Sequence, residues 1–193
     1  MKGYHLVGKA PFFTNCFVLT DNIGNAVLID CSEKMEDVKK ILENDRAKPA
    51  ALLLTHGHND HVETFEEFKK LYDCPVYLAK EDAELYGIDN TIDYTDGETL
   101  NFGEMSFKVY KTPGHTPGSV VLLCEDWLFC GDTLFAGTVG RTDLKGGNWD
   151  ELEKSLSKLK QLIPDNMKVI PGHDHFSTMA QEKVQNPYLK NAK

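Results

Sequence analysis

The sequence runs to 193 residues, 41% hydrophobic and 26% charged, with Gly 15 and Pro 8. This excludes disordered, collagen-like and disulfide-dependent classes, and the longest apolar runs, such as Val120-Val121-Leu122-Leu123-Cys124, fall far short of the roughly 20 residues of a membrane helix. Lys and Arg number 21 against 30 Asp and Glu, a net charge of −9, so no nucleic-acid or membrane partner is expected.

In chain order, Met1-Lys2-Gly3-Tyr4-His5-Leu6-Val7-Gly8 has no apolar stretch and does not read as a secretory signal. Phe17-Val18-Leu19 and Ala26-Val27-Leu28-Ile29 flank the turn cluster Asp21-Asn22-Ile23-Gly24-Asn25 and predict a hairpin. Met35, Val38, Ile41 and Leu42 recur at helical spacing and predict a helix over about 33–44. Ala51 to Thr55 is a short apolar strand. Phe65, Phe68, Leu71 and Tyr72 form the next helical stripe, with Thr64 and Glu67 in the pattern of a capping box.

Val76-Tyr77-Leu78 predicts a strand and Glu81 to Tyr86 a short helix. Met105–Lys111, Ser119–Cys124 and Trp127–Cys130 then predict three strands in close succession. Trp149, Leu152, Leu156, Leu159, Leu162 and Ile163 mark the longest helix, capped by Asn148 and stopped by Pro164. Met167–Ile170 predicts a last strand, and about Ser177 to Gln185 a final helix before Asn186-Pro187. Interleaved strands and helices without a linker predict one sheet-based domain over 1–193. The five cysteines form no C-x-x-C pair, and most sit in apolar runs, which points to reduced, buried thiols and a cytoplasmic location.

Six of the seven histidines are clustered. His56, His58 and His61 lie in Thr55-His56-Gly57-His58-Asn59-Asp60-His61. His115 lies in Thr112-Pro113-Gly114-His115-Thr116-Pro117-Gly118. His173 and His175 lie in Pro171-Gly172-His173-Asp174-His175. Each cluster follows a predicted strand, and Asp132 follows Leu128-Phe129-Cys130-Gly131 in the same way. Loops at strand ends are where a rigid scaffold holds chemistry. Imidazole and carboxylate suit zinc, and also iron and manganese. His56, His58, Asp60, His61, His115, Asp132 and His173 are too many ligands for one tetrahedral ion and suit two divalent ions sharing a carboxylate. His5 stands apart and reads as structural, and Cys130 reads as a packed thiol.

These motifs together resemble the metallo-β-lactamase-fold hydrolase superfamily, from Asn15-Cys16 to about Thr178. Its H-x-H-x-D-H signature matches His56, His58, Asp60 and His61, and its other motifs match His115, Asp132 and His173. The resemblance implies an α+β fold, a four-layer αβ/βα sandwich of two mixed β-sheets with outer helices. It implies that His56, His58 and His115 bind a first metal and Asp60, His61 and His173 a second, with Asp132 bridging. Zinc is the metal expected, with iron or manganese as alternatives. A hydroxide bridging the two ions would attack a small-molecule substrate, with Asp60 in acid–base work. Asp30 matches a position that supports the ligand loop, or simply caps a turn.

Within the superfamily, flavodiiron proteins carry Glu at the position of His58, RNA-processing members need an inserted domain, and secreted β-lactamases need an export signal. The segment Phe135-Ala136-Gly137-Thr138-Val139-Gly140-Arg141-Thr142-Asp143 resembles the glyoxalase II-like branch, the hydroxyacylglutathione hydrolases and their short relatives. That implies hydrolysis of a small thioester. Persulfide dioxygenases share a similar Gly-Arg-Thr-Asp motif, so the alternative is one iron held by His56, His58 or His115 together with Asp132. A metallohydrolase for another ester, amide or phosphoester is a further alternative. Arg141 either binds an anionic substrate group through its planar fork or pairs with an acidic neighbour. Asp174 and His175 follow His173 where relatives have Gly then Pro, and His175 is either a bystander or a substrate contact or proton relay. The sequence ends at Lys193 without the C-terminal helical domain that contacts glutathione in two-domain glyoxalase II, which leaves the thiol carrier open. The oligomeric state is also open.

Overall fold

The computed structural model describes residues 1–32 and 34–192; the expected helix start at Glu33 lies outside them. In chain order the elements are β1 (Lys2–Val7), β2 (Asn15–Thr20), β3 (Asn25–Ile29), α1 (Met35–Asp45), β4 (Lys48–Leu53), α2 (Asn59–Val62), α3 (Phe65–Leu71), β5 (Val76–Tyr77) and α4 (Lys80–Tyr86). There follow β6 (Thr99–Phe102), β7 (Met105–Lys111), β8 (Val120–Cys124), β9 (Trp127–Gly131), β10 (Leu134–Phe135), β11 (Thr138–Val139), α5 (Trp149–Leu162), β12 (Lys168–Pro171), β13 (Ser177–Thr178), α6 (Met179–Gln185) and α7 (Pro187–Asn191).

One sheet has the order β1-β2-β3-β4-β5 and the other β13-β12-β9-β8-β7-β6, with β10 and β11 as a separate hairpin. Both large sheets are mixed. β3 pairs in parallel with β4, and β4 with β5, while β12 pairs in parallel with β9. Strands buried on both faces read as continuous apolar runs. Here one face of each sheet meets the other sheet: Phe17, Leu19, Val27, Ile29 and Leu53 pack with Phe107, Val109, Leu122, Phe129 and Ile170. On its outer face the first sheet packs Val18, Leu28, Leu52 and Leu54 against Met35, Val38, Leu42, Phe65 and Phe68 of α1 and α3. The second sheet packs Val121, Leu128 and Val169 against Leu152, Leu156 and Leu159 of α5, with Met179 and Leu189. Helix, sheet, sheet and helix are the four layers.

The parallel pairs matter for the site. They put the C-terminal ends of β3 and β4, and of β9 and β12, at one edge of the sandwich. Cross-links between the sheets close that edge: Asn15 N donates to Gly172 O at 2.7 Å, and Val120 N to Thr55 O at 2.9 Å.

Several local expectations are corrected. Thr64 stands at the N-cap of α3, but its side chain caps nothing; Oγ1 sits 2.7 Å from Cys31 Sγ instead. β1 and β6 carry no strand signal because neither has a buried apolar run: β1 opens on Lys2-Gly3 and β6 has only four residues, Asn101 among them. Asn186-Pro187 does not end the helical region. Asn186 Oδ1 accepts from Tyr188 N and Leu189 N, and Pro187 opens α7 at a position where no amide hydrogen is needed. Asn148 does cap α5, accepting from Glu151 N at 3.2 Å. No helix among the described residues is long and apolar enough to cross a membrane.

Candidate metal centre

The H-x-H-x-D-H segment follows β4 and changes conformation midway. His56 and His58 lie in extended chain, whereas Asp60 and His61 lie in the single turn of α2. Alternate residues of extended chain and adjacent residues of a helical turn thus point four side chains into one space. His115 comes from the loop between β7 and β8, Asp132 directly follows β9, and His173 follows β12. All seven side chains converge as three overlapping groups: His56, His58 and His115; His56, His61 and Asp132; Asp60, His61 and His173.

Within the first group, His58 Nδ1 lies 3.1 Å from His56 Nε2 and 2.9 Å from His115 Nε2. In the last group, His61 Nε2 lies 3.3 Å from His173 Nε2, and Asp60 Oδ2 lies 3.1 Å from His173 Nε2 and 3.6 Å from His61 Nε2. Asp132 stands between them. Its Oδ1 is 3.3 Å from His61 Nε2, and its Oδ2 is 3.4 Å from His115 Nε2 and 3.5 Å from His173 Nε2.

The far sides of the rings fix which nitrogen carries the proton. His115 Nδ1 donates to Arg141 O at 2.7 Å, His173 Nδ1 to Phe12 O at 3.0 Å and His61 Nδ1 to Asp30 Oδ2 at 2.8 Å. An Nδ1–H so engaged leaves the Nε2 lone pair facing inward, which is the tautomer a cation requires. Asp30 is buried with φ 56, and it also accepts from Thr55 N at 2.8 Å and Thr55 Oγ1 at 2.9 Å. It therefore braces both the first histidine loop and His61.

The charges are unbalanced without cations. Burial, reinforced by His61, holds the pKa of His56 well below the imidazole range; burial and His115 push His58 down to about 4. Burial would lower His61 and His173 too. Asp30 and Asp132 outweigh it at His61, and hydrogen bonds to Asp132 and Asp60 raise His173 to about 10. Burial alone would raise Asp132 and Asp60. His61 and His173 nonetheless hold Asp132 well below the ordinary carboxylate range, and His173 and His61 lower Asp60. The two carboxylates thus favour positive charge in the space between these imidazoles.

The residues present fit divalent ions. Asp132 Oδ1 is buried and has no hydrogen-bond donor among the described residues. The imidazole nitrogens around His58 face one another at separations close to the about 3.3 Å edge of a tetrahedron with metal–nitrogen bonds of about 2.0–2.1 Å. Backbone closes in tightly around these groups. A Cβ on Gly172 would overlap Asp132 Oδ1 and lie 2.6 Å from His61 Cε1, and one on Gly140 would overlap Asp132 O.

The family model of the metallo-beta-lactamase superfamily matches residues 10–173, which includes all seven of these side chains. The chain belongs to this superfamily. Among its relatives, the hydroxyacylglutathione hydrolase GloC of Haemophilus influenzae is 30% identical over 96% of this chain and 97% of that protein. Two solved structures superpose closely. TTHA1623, in a di-iron-bound form, has a TM-score of 0.84 and 32% identity over 96% of this chain and 99% of its own. ETHE1 from Myxococcus xanthus has a TM-score of 0.87 and 28% identity over 97% of this chain and 84% of its own.

In this metallo-beta-lactamase-fold chain His58, Asp60, His115, Asp132 and His173 floor an open cleft of about 600 Å³, with His56 and His61 fully buried beside them; Pro11 and Phe12 of the loop before β2 and residues of the 135–144 segment wall it. Arg141 stands at the mouth, exposed, with its guanidinium paired to Asp143 at 2.6 and 2.7 Å. The acidic-neighbour reading of Arg141 is thus what the geometry displays, although Arg141 also lines the cleft. His175 is exposed and is not among the residues that line the cleft; the chain passes through a left-handed Asp174, φ 62, between it and His173. His5 stacks on Phe17 and bonds Asn15 at 2.8 Å, away from the seven groups. Cys130 is buried with its Sγ 3.3 Å from Leu128 O, and burial raises its pKa. A groove of about 680 Å³ beside α1 and α3 is lined by none of the seven.

Sequence reading missed three supports. Asp82 on α4 is fully buried and accepts from Gly57 N, Thr116 Oγ1 and Gly118 N, each at 2.7 Å. Thr14 Oγ1 donates to Asp60 Oδ2 at 3.1 Å, and Asn15 Nδ2 donates to Pro171 O at 3.0 Å and Asp174 O at 3.2 Å. Their partners are mostly backbone groups distant in sequence, for which no spacing pattern exists.

Proposed function

We propose that this chain is a hydrolase using two divalent metal ions, zinc first, to cleave a small thioester of the hydroxyacyl-glutathione type. The observation that carries the reading is the convergence of seven His and Asp side chains in three overlapping groups, five of them lining one cleft. The 30% identity to a hydroxyacylglutathione hydrolase and the Gly140-Arg141-Thr142-Asp143 segment support the thioester, and the similarity to a protein solved with two irons supports two ions.

His56, His58 and His115 would hold one ion and Asp60, His61 and His173 the other, with Asp132 shared. Bound there, two cations supply a water of lowered pKa and positive charge for a developing oxyanion. The remaining work belongs to the chain. Asp30, Arg141 O and Phe12 O fix the imidazole tautomers. Asp60 lines the cleft and is held by Thr14, so it is placed to accept a proton at its carboxylate. Pro11, Phe12, Phe135 and Val139 exclude water from part of the wall.

The test is loss of thioester absorbance from S-lactoylglutathione by protein loaded with zinc or with iron. Metal-dependent loss is the expected result. No loss with two ions bound per chain overturns the thioester reading. Oxygen uptake with a persulfide by iron-loaded protein would put a dioxygenase in its place.

A further inference from the structure

The ligand-type groups account only for the floor of the cleft. Above them its walls are largely apolar: Pro11 and Phe12 come from the loop before β2, and Phe135, Val139 and Leu144 from the segment after β9. Phe12 is 60% exposed and Leu144 41% exposed. Large apolar side chains left in water around a polar floor mark surface that a ligand covers. The loop is held in shape. Gly8 N donates to Thr14 O at 2.8 Å, Phe13 N to Lys9 O at 3.1 Å, and the Phe12 carbonyl accepts from His173. Phe12 thus braces the floor through its backbone while its ring remains free to meet substrate.

Charge is sparse on these walls. Arg141 is the single Lys or Arg among the lining residues, its guanidinium is already paired in bidentate fashion with Asp143, and Asp174 adds a negative group. A thiol carrier bearing two carboxylates finds little to bind here.

We infer that the cleft selects its thioester by an apolar acyl chain laid between Phe12 and the Val139–Leu144 wall, and that the charges of the thiol carrier contribute little. This rests on the thioester reading and narrows it to the acyl half of the substrate.

The experiment measures kcat/KM of zinc-loaded protein on the S-acetyl, S-butyryl and S-hexanoyl esters of N-acetylcysteamine, and on S-hexanoylglutathione. Full burial multiplies affinity by about fourfold per methylene, so an open cleft is expected to give about threefold per methylene. Glutathione in place of N-acetylcysteamine should change the hexanoyl value by less than about threefold. Leu144→Ala and Phe12→Ala should each lower the hexanoyl-to-acetyl ratio at least about threefold at unchanged zinc content. A flat acyl series, or a glutathione preference above about tenfold, overturns the inference while leaving the thioesterase intact. Binding of hexanoate and acetate to the zinc-loaded protein is measured in parallel by calorimetry. If no thioester is turned over, the hydrolase reading fails by itself; hexanoate binding about tenfold or more tighter than acetate then upholds the apolar subsite, and equal binding overturns it.

Discussion

Asp82 holds Gly57 by the backbone: its Oδ2 accepts from Gly57 N at 2.7 Å, in the middle of His56-Gly57-His58. The same carboxylate takes Thr116 Oγ1 and Gly118 N from the loop that carries His115. One buried side chain on α4 thus clasps together the two loops that supply the first metal-type group. There is no slack in the clasp, because a Cβ on Gly118 would lie 2.6 Å from Asp82 Cγ.

Asp82→Asn is therefore expected to reach the metal without touching it. The amide cannot accept from both sides, so at least one buried N–H loses its partner, at a cost of about 1–3 kcal/mol. Loosened ligands typically cost about 10–100-fold in metal affinity. Urea unfolding of the apo protein reads the first effect and zinc competition with a chromophoric chelator the second. Both unchanged would remove Asp82 from the support of the site.

Asp132 is the residue whose loss should strike both metal positions at once. It approaches His61, His115 and His173 within 3.5 Å. Asp132→Ala is expected to reduce bound zinc from two ions per chain and to abolish hydrolysis, with metal content read by atomic emission. Full activity in this variant would end the two-metal proposal. Chelation of the unmodified protein should likewise abolish turnover, and restoring zinc should return it.

The ligand motifs were legible in sequence because their chemistry restricts residue type. Few side chains can bind such ions, here imidazole and carboxylate, and their loops directly follow apolar strands, as at Leu52–His56 and Val169–His173. The buried strands β2, β3, β8 and β9 were legible because both faces of each sheet are covered and apolar residues run on, and β7 because Met105, Phe107 and Val109 alternate with Ser106 and Lys108. β1 and β6 lie at sheet edges, and their composition carries no such demand. The supports of the site were illegible because they act through backbone. Phe12 contributes a carbonyl to His173, and any residue has a carbonyl. Asp82 looks in sequence like one more acid on the surface of a short helix, although it is fully buried.

Gly172 makes a sharper steric prediction. Gly172→Ala places a methyl against Asp132 Oδ1 and His61 Cε1. Backbone holds the glycine on both sides, through Asn15 N to its carbonyl and its own N–H to Gly131 O at 2.8 Å, so relief falls on the ligands. Overpacking of this kind costs about 1–3 kcal/mol. The expected result is a lower melting temperature for the metal-free variant, and a smaller rise on adding zinc than in the unmodified protein. Equal zinc stabilisation of both proteins would show that the ligands move aside freely.

Acid stability should report on a different contact, far from the metal-type groups. Asp45 at the end of α1 accepts from Lys2 Nζ at 2.6 Å, Thr20 Oγ1 at 2.6 Å and Tyr4 Oη at 2.8 Å, tying β1 and β2 to the helix layer. Hydrogen bonds from Lys2, then Thr20, hold its carboxyl down to about 2 against a usual 3.8. A folded-state pKa below the unfolded one means stability that is fully present above about pH 4. It is lost as the pH falls through that value toward about 2. The urea midpoint of the unmodified protein should therefore exceed that of Asp45→Ala at pH 6, and the gap should close as the pH approaches 2. Salt should narrow the gap at pH 6 only in part, because Thr20 and Tyr4 contribute hydrogen bonds that screening does not remove. A gap that persists unchanged below pH 2.5 would mean that Asp45 acts by packing, and that its charge holds nothing.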